Sequence, residues 1–430
     1  MKQPVSIMLV ILLISLAAAN AGFAQTTAFI ANSGDDEVLR VIADSEAVTT
    51  TPVTGTPYGV AVTLDGQRVL VTQNENDALV FIDTADFSGS PFTLPVGEAP
   101  RGVAIDTIGR YAYVANFEAD TVSQVNLSGR NVVDTIPVGD GPWGVVAHYH
   151  ERDDATIAYV ANHLEDTVTR IDEENRTTEI PVGDGPIGVA ISPDGSWVYV
   201  ANTNDDTVSI IDTRSETVVG TVSVGTAPWG IAVGADGDYV YVSNSEADTV
   251  TVIRAADLSV IRTFAVGDTP RGIAAPRNGQ IAYVVNQIDG SISKIDMEAD
   301  EVSEIAASML VEAFSLGAFF GGRKPLPPSG LEAVTRDETG IDLSWIDESS
   351  DELGFKIERS QDDEENFVPI ATVPDNTTSF EDGGLSNDTV YYYRIRAFNE
   401  AADSSYSATA TATTDRYTGS IWCFIGSLNR

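Results

Sequence analysis

The chain has 430 residues, of which 24 are Lys or Arg and 64 are Asp or Glu, so its formal net charge is −40. This charge repels nucleic-acid phosphates and anionic membrane surfaces, and we therefore expect neither as a partner. The length suffices for one large and one small domain, and the single cysteine, Cys423, excludes intrachain disulfides.

The N-terminal segment 1–24 has the pattern of a Sec signal peptide. Lys2 supplies the positive end, residues 5–19 an apolar run and residues 22–24 a small-x-small cleavage site. We expect a mature chain from Gln25 that is extracellular, at the cell surface or periplasmic. No other segment approaches the ~20 apolar residues of a membrane-spanning helix, so no span is predicted.

A tetrapeptide of the Tyr-Val-Ala-Asn type returns seven times in the following residues. Its copies end at Asn32, Gln73, Asn116, Asn162, Asn202, Asn244 and Asn286, which are 40 to 46 residues apart. Each unit contains short runs rich in β-branched residues and Tyr, separated by Gly, Asp and Asn, as expected for four strands and their turns. This period predicts a seven-bladed β-propeller over residues 25–320, with one four-stranded blade per repeat.

A Pro-x-Gly turn precedes the first strand of six units, so one first strand is missing from the series. The turns are Pro57–Gly59, Pro100–Gly102, Pro142–Gly144, Pro186–Gly188, Pro228–Gly230 and Pro270–Gly272. Residues 311–320 repeat the spacing through Val311 and Gly317, and we expect them to close the ring beside Phe29, because an open ring leaves strand edges unpaired. A short helix is the alternative, since residues 309–319 contain neither Pro nor Asn.

These repeats resemble the YVTN-type β-propeller family of exported bacterial and archaeal proteins, which includes surface-layer proteins. The resemblance covers residues 27–306 well and 307–320 weakly. It implies the fold but not the function, because this scaffold carries both binding proteins and enzymes.

The remaining residues predict a second, smaller module. Residues 321–328 form a Pro-rich linker, and residues 329–414 contain seven short alternating strands, which is typical of a β-sandwich. Leu343-Ser344-Trp345 and the run 391–397 resemble a fibronectin type III domain. That resemblance implies a core tryptophan at Trp345 and a corner tyrosine at Tyr391, whose hydroxyl bonds the backbone. Residues 415–430, with Cys423, are assigned to a C-terminal tail.

The residue inside each Pro-x-Gly turn is expected at one mouth of the central channel. The candidate ligand-binding residues are Tyr58, Arg101, Trp143, Ile187, Trp229 and Arg271, with Leu316 as the seventh. Arginine recognises carboxylates or phosphates, and aromatic rings supply stacking area, so an anionic, aromatic or sugar ligand is expected. The alternative is that these side chains pack between blades and plug the channel.

Acidic and histidine side chains supply weaker candidates. Six loops after the tetrapeptide contain an Asp four residues on, at Asp36, Asp77, Asp120, Asp166, Asp206 and Asp248. We expect these side chains to bond loop amides. No cofactor is predicted, although calcium is possible at Asp35–Asp36 and Asp205–Asp206. His148 and His150, with Glu151, could hold a metal, while the simpler interpretation is that they are exposed loop residues.

Together these features favour an exported non-enzymatic binding or cell-surface protein. The propeller would bind an extracellular or periplasmic protein, a glycan or a small anionic or aromatic ligand, and the second module would be a spacer or second contact. The alternative is a propeller-based lyase or hydrolase with a metal-assisted site at the channel mouth, near His163, Arg101 and Arg271.

Overall fold

The computed structural model describes residues 27–42, 47–150, 155–234, 236–275, 280–305, 313–314, 320–321, 325–349, 352, 354–361, 363–364, 366–374, 377–398 and 404–416. Their regular structure consists of 36 strands in nine antiparallel sheets, which confirms the predicted all-β class. Within these residues no helix is long and apolar enough to cross a membrane. The predicted signal segment 1–24 and the tail beyond residue 416 lie outside the described residues.

Seven of the sheets follow one another along residues 27–321. They comprise β1 (Thr27–Asn32), β2 (Glu37–Ile42), β3 (Ala47–Pro52); β4 (Pro57–Val62), β5 (Arg68–Gln73), β6 (Ala78–Asp83), β7 (Phe92–Pro95); β8 (Pro100–Ile105), β9 (Tyr111–Asn116), β10 (Thr121–Asn126), β11 (Asn131–Pro137); β12 (Pro142–His150), β13 (Ala155–Asn162), β14 (Thr167–Ile171), β15 (Thr177–Pro181); β16 (Pro186–Ile191), β17 (Trp197–Asn202), β18 (Thr207–Asp212), β19 (Thr217–Ser223); β20 (Pro228–Val233), β21 (Tyr239–Asn244), β22 (Thr249–Arg254), β23 (Ser259–Ala265); and β24 (Pro270–Ala274), β25 (Ile281–Asn286), β26 (Ser291–Asp296), β27 (Glu301–Ile305).

The first sheet is completed by two short strands from the end of this region, β28 (Ala313–Phe314) and β29 (Phe320–Gly321). Both pair antiparallel with β1, placing residue 314 opposite Ala31 and residue 321 opposite Thr27. One hydrophobic cluster joins Ile30 of the first sheet to Val71 of the second and Val285 of the seventh, as a closed ring requires. The closing segment thus contains two strands, while Val311, Leu316 and Gly317 lie outside the described residues.

The asparagine that ends the tetrapeptide ties the second strand of a blade to the third. Asn202 is fully buried, and its Nδ2 donates to Thr207 Oγ1 (3.0 Å) and Ser209 Oγ (2.9 Å). The same two bonds, to the residues five and seven positions on, occur at Asn116, Asn162, Asn244 and Asn286. Because a buried amide NH2 group must find acceptors, this pattern accounts for the recurrence of Asn and of Ser or Thr.

The glycine of the Pro-x-Gly turn allows neighbouring blades to meet at the channel. A Cβ on Gly188 would lie 2.3 Å from the carbonyl oxygen of Trp229 in the next blade. The corresponding distances at Gly59, Gly102, Gly144 and Gly230 are 2.1, 2.4, 2.2 and 2.2 Å. These distances are far below van der Waals contact, so the inner strands approach backbone to backbone and only glycine fits.

The second module has seven strands among its described residues: β30 (Ser329–Asp337), β31 (Gly340–Ile346), β32 (Gly354–Gln361), β33 (Val368–Pro374), β34 (Ser379–Gly383), β35 (Val390–Phe398) and β36 (Ala410–Thr413). They form sheets of order β30-β31-β34 and β33-β32-β35-β36. Trp345 is buried against Phe355, with ring centres 5.6 Å apart. The Tyr391 hydroxyl accepts the Ser386 amide at 3.0 Å, which is the backbone bond expected of a corner tyrosine.

We expect Gly188→Ala to destabilise the propeller by about 3 kcal/mol, because the added methyl meets a backbone carbonyl that no rotamer change can move. Gly220→Ala is the matched control on β19 of the same blade, where the nearest atom is the flexible end of Leu258 at 3.1 Å. It should change stability by less than about 1 kcal/mol. Urea unfolding measures both, and equal effects would contradict the inter-blade contact.

Alkaline pH should unfold the protein through its buried motif tyrosines. Burial raises the pKa of Tyr113, Tyr159 and Tyr199 to about 12, from the usual value of 10. Their contribution is complete below about pH 10 and is lost as pH rises towards 12, because the unfolded chain then releases protons that the folded chain keeps. The free energy of unfolding should fall between about pH 10 and 12, and Tyr199→Phe should make that fall shallower. A flat profile would be inconsistent with this assignment.

Candidate ligand site at the channel mouth

The Pro-x-Gly turns bring the predicted mouth residues together. Tyr58, Trp143 and Ile187 form one buried cluster, against which Phe117 and Trp229 pack. The ring centres of Trp143 and Trp229 are 5.4 Å apart at an interplanar angle of 89°. The mouth is therefore an aromatic cluster contributed by several blades. Leu316, the seventh candidate, lies outside the described residues.

Arg101 lies inside this cluster. Its guanidinium carbon is 3.4 Å from the ring centre of Phe117 and 3.6 Å from that of Trp143. Its Nε and Nη1 atoms are buried and have no hydrogen-bond partner among the described residues. Burial lowers the pKa of Arg101, which reflects the cost of keeping this charge away from water.

Arg271 brings a second positive charge to the same place. Its guanidinium carbon lies 4.1 Å from the ring centre of Trp229. Burial raises the pKa of Tyr58 to about 12, and the charges of Arg101 and Arg271 both act in the opposite direction. Both arginines therefore lie near the Tyr58 hydroxyl, and the mouth combines two cations with an aromatic wall.

Two hydroxyl side chains hold the backbone of these arginines. Thr72 and Ser243 occupy the third position of the tetrapeptide, which is Ala in four other copies. Thr72 Oγ1 donates to the carbonyl oxygen of Arg101 at 2.7 Å, and Ser243 Oγ donates to that of Arg271 at 2.7 Å. Each also accepts a glycine amide of its own blade. The sequence analysis missed this role, although the departure from Ala was its visible signal.

The residue that follows the motif asparagine also reaches the mouth in two blades. Phe117 was not among the predicted site residues, yet it covers one face of Arg101. His163 packs its ring 4.9 Å from Trp143, and burial lowers the pKa of His163. The signal for both was the change of residue type at this position from one repeat to the next.

Behind the aromatic cluster the channel contains a cavity of about 300 Å³. Its walls are inner-strand residues such as Gly102, Val145 and Ile231, and it extends to Leu64 at the other end of the strands. None of the mouth side chains lines it, so the cluster separates this cavity from the mouth. The mouth side chains therefore plug the channel, as the alternative to a ligand site predicted. The same cluster nevertheless contains Arg101, whose Nε and Nη1 atoms have no hydrogen-bond partner among the described residues.

The recurrent aspartates have a structural role. Asp206 Oδ1 accepts the amide of Ala227, in the loop that leads to the next blade, at 2.9 Å. The other five aspartates make the same kind of bond, and all six have φ between 52° and 58°. In the seventh blade Gly290 occupies this position with φ 67°, as expected where a left-handed conformation is needed.

The candidate metal ligands are engaged in similar contacts. Asp36 and Asp206 belong to the series above, Asp35 accepts from Asn32 Nδ2 at 3.2 Å, and Asp205 accepts the Asp184 amide at 2.8 Å. Among the described residues, no three His, Cys, Asp or Glu side chains lie together as metal ligands would.

The interpretation of His148 and His150 as exposed loop residues is wrong. Both belong to β12, opposite residues 157 and 155 of β13, because this hairpin continues several residues beyond those of other blades. The two side chains are half-buried, with ring centres 4.8 Å apart. Burial lowers the pKa of His148, and so does the neighbouring His150.

Comparison with known proteins identifies both modules. Residues 326–413 match the Fibronectin type III domain, and residues 150–287 match the Cytochrome D1 heme domain. A functionally unknown protein from Desulfotomaculum acetoxidans aligns with a TM-score of 0.60 and 18% identity, over 69% of this chain and 98% of its own. The chain is a β-propeller followed by a fibronectin type III domain. Domains of these kinds are typical of extracellular or periplasmic proteins.

Further propeller neighbours include enzymes. A putative 6-phosphogluconolactonase from Bacteroides fragilis has a TM-score of 0.56 at 16% identity, covering 68% of this chain and 97% of its own. Streptogramin B lyase has a TM-score of 0.51 at 13% identity, covering 68% and 96%. At these identities the similarity establishes the fold alone.

The chain spans only a small part of the length of the curated relatives that it matches. An alpha-amylase from Niallia circulans is 37% identical over 94 residues, which is 21% of this chain and 7% of the enzyme. An amylopullulanase from Thermoanaerobacter thermohydrosulfuricus is 32% identical over 79 residues, 18% of this chain and 5% of the enzyme.

The channel does not fit the haem that is named in the Cytochrome D1 heme domain. Haem iron in proteins is held by His, Cys, Met or Tyr, and none of these lines the 300 Å³ cavity. At the mouth, the ring of His163 packs against Trp143, and Tyr58 is buried within the same aromatic cluster.

We expect Thr72→Val to lower the free energy of unfolding by about 1–3 kcal/mol, because it leaves the Gly59 amide and the Arg101 carbonyl without their hydroxyl partner. Thr72→Ser keeps the hydroxyl and should recover most of the loss. Chemical denaturation distinguishes the two variants. Equal stabilities of Val and Ser variants would show that the hydroxyl does not support the mouth.

Proposed function

We propose that this protein is an exported, non-enzymatic binding protein that holds a small organic anion at the channel mouth. The supporting observation is Arg101, whose guanidinium is held between two aromatic rings with two buried N–H groups lacking a partner in the described part of the chain. In a chain that carries 64 acidic residues, this arginine makes no ion pair within the described residues, although the charge of Glu118 acts on it.

The energetics of the mouth favour an anion. A buried charge without hydrogen-bond partners is destabilising, and burial lowers the pKa of Arg101 accordingly. A carboxylate bound to Arg101 relieves this cost, with Arg271 as a second cation at the same mouth, and guanidinium groups bind carboxylates through paired hydrogen bonds. The ligand gains more from these bonds here than at an open surface, because the aromatic side chains exclude water.

Binding requires a small rearrangement of the aromatic cluster. Nε and Nη1 of Arg101 are covered, and Phe117 lies directly over the guanidinium. Phe117 is half-buried, so a change of its rotamer is the smallest movement that exposes these groups. Trp229, also half-buried, offers ring area to an apolar or aromatic part of the ligand. An organic carboxylate with a flat or apolar body suits both features.

The remaining parts of the chain agree with an exported receptor. The signal-like segment 1–24 would direct export, and the fibronectin type III domain would act as a spacer or second contact. The net charge of −40 disfavours nucleic acid as a partner.

The test compares the wild-type chain with Arg101→Met, which keeps an apolar stem between the rings but removes the charge. We expect the unliganded variant to be at least as stable as wild type, because the buried charge lacks a partner. Thermal unfolding with a panel of aromatic and aliphatic carboxylates, each paired with its neutral amide, should show stabilisation of wild type by a carboxylate. A ligand at 100 times its Kd should raise the free energy of unfolding of the wild type by about 2.7 kcal/mol. This stabilisation should be absent in Arg101→Met.

Arg214→Met is the matched control, since Arg214 is exposed in the turn after β18 and should leave the ligand response intact. A clear loss of unliganded stability in Arg101→Met, with no carboxylate stabilising the wild type, would show that Arg101 serves only to pack the mouth.

A further inference from the structure

A second concave site lies at the other end of the strands from the channel mouth. It is a pocket of about 260 Å³ at the edge of the second and third blades. Arg68 begins β5, Asp83 ends β6, Phe92 begins β7, and Arg130 lies in the turn between β10 and β11. We call this site the rim pocket; Asp86 and Phe81 complete the part of its lining used below.

The two arginines of the rim pocket are unusual in this chain. Several other guanidinium groups of the propeller form ion pairs, such as Arg170 with Glu216 at 3.2 Å and Arg262 with Asp300 at 2.9 Å. Arg68 and Arg130 are both half-buried, yet the side chain of neither has a hydrogen bond or ion pair with any described residue. Acidic residues outnumber basic ones 64 to 24 in this chain, so arginines without a carboxylate partner are unexpected. The pocket therefore offers two guanidinium groups whose N–H donors can bind a ligand.

The aspartates of the pocket restrict what can bind there. Asp83 and Asp86 are exposed, and Asp83 Oδ1 accepts the Ala85 amide at 2.9 Å. Their charges oppose a ligand that is anionic on all sides, such as phosphate. Carboxylate oxygens accept hydrogen bonds from hydroxyl groups, so the fitting ligand carries a carboxylate at one edge and hydroxyls at another.

Phe92 supplies an apolar surface beside these charges. Its side chain is 40% exposed, although its ring is held edge-on against buried Phe81 with centres 5.7 Å apart. The guanidinium carbon of Arg130 lies 5.5 Å from the same ring. A fixed, partly exposed ring beside hydrogen-bonding groups suits the C–H face of a sugar ring.

We propose that the rim pocket binds a uronic acid as a single sugar unit. The carboxylate pairs with Arg68 and Arg130, the hydroxyls donate to Asp83 and Asp86, and the ring face rests on Phe92. The pocket volume lies just below the roughly 300–1,000 Å³ of sites for drug-sized ligands, which suits one sugar unit. This site is independent of the proposed anion site at the channel mouth.

Titration calorimetry with the full chain tests the proposal, using Arg101→Met as the background so that the channel mouth does not contribute. D-Glucuronate should bind. D-Glucose should bind at least tenfold more weakly, because it lacks the carboxylate, and inorganic phosphate should not compete.

In this background, Arg130→Ala and Arg68→Ala should each weaken glucuronate binding by about 10- to 100-fold, the value of a charge-assisted hydrogen bond. Arg214→Ala is the matched control and should leave binding unchanged. Arg68→Lys keeps the positive charge but lacks the planar guanidinium that forms two parallel hydrogen bonds. It should weaken glucuronate binding even if its thermal stability equals that of the Arg101→Met background.

Three results would overturn the proposal. Glucuronate and glucose could bind equally, neither arginine variant could change the affinity, or an amino acid such as glutamate could bind more tightly than glucuronate. The last result would assign the pocket to a zwitterion whose ammonium group pairs with the aspartates.

Discussion

The contact on which the propeller depends is the approach of a glycine to a carbonyl oxygen of the next blade. At Gly59, Gly102, Gly144, Gly188 and Gly230 there is no room for a Cβ. Because the inner strands meet backbone to backbone, the channel is narrow and its geometry is the same from blade to blade. The residue inside each Pro-x-Gly turn supplies the carbonyl oxygen of this contact. The side chain of the same residue lies at the channel mouth. The same constraint that closes the ring therefore assembles the ligand site.

Most of the recurrent polar residues of the repeat stabilise the propeller itself. The motif asparagines satisfy hydroxyls within a blade, as Asn202 does with Thr207 and Ser209. The recurrent aspartates bond amides in the loops between blades, as Asp206 does with Ala227. Many acids at the mouth are thus structural. An acidic loop in this fold is weak evidence for calcium, because the carboxylate oxygens already have donors.

The cations carry more functional information than the acids. Most described guanidinium groups of the propeller have a carboxylate or hydroxyl partner, whereas Arg101, Arg68 and Arg130 are half-buried without one and face concave surfaces. In a protein of net charge −40, unpaired arginines in concavities mark the places where anions are attracted rather than repelled. The channel mouth combines such an arginine with aromatic packing, and the rim pocket combines two of them with aspartates.

The sequence by itself determined the blades, their turns and the second module, because each depends on residues close together in the chain. The run around Tyr391 predicted the corner tyrosine bond, and the bonds of Asn202 to Thr207 and Ser209, which the sequence analysis did not predict, likewise join residues close together in the chain. The sequence also placed Tyr58, Arg101, Trp143 and Ile187 at one mouth, since the repeat makes their positions equivalent.

Only the tertiary structure decided what these side chains contact. Phe117 covers Arg101 from another loop, Thr72 holds its carbonyl from the preceding blade, and Arg130 reaches the rim pocket of Arg68 from the following one. The extension of β12 through His150 likewise depended on pairing with β13. Periodicity specifies which residues are equivalent between blades, whereas side-chain direction and contacts across blades depend on the closed ring.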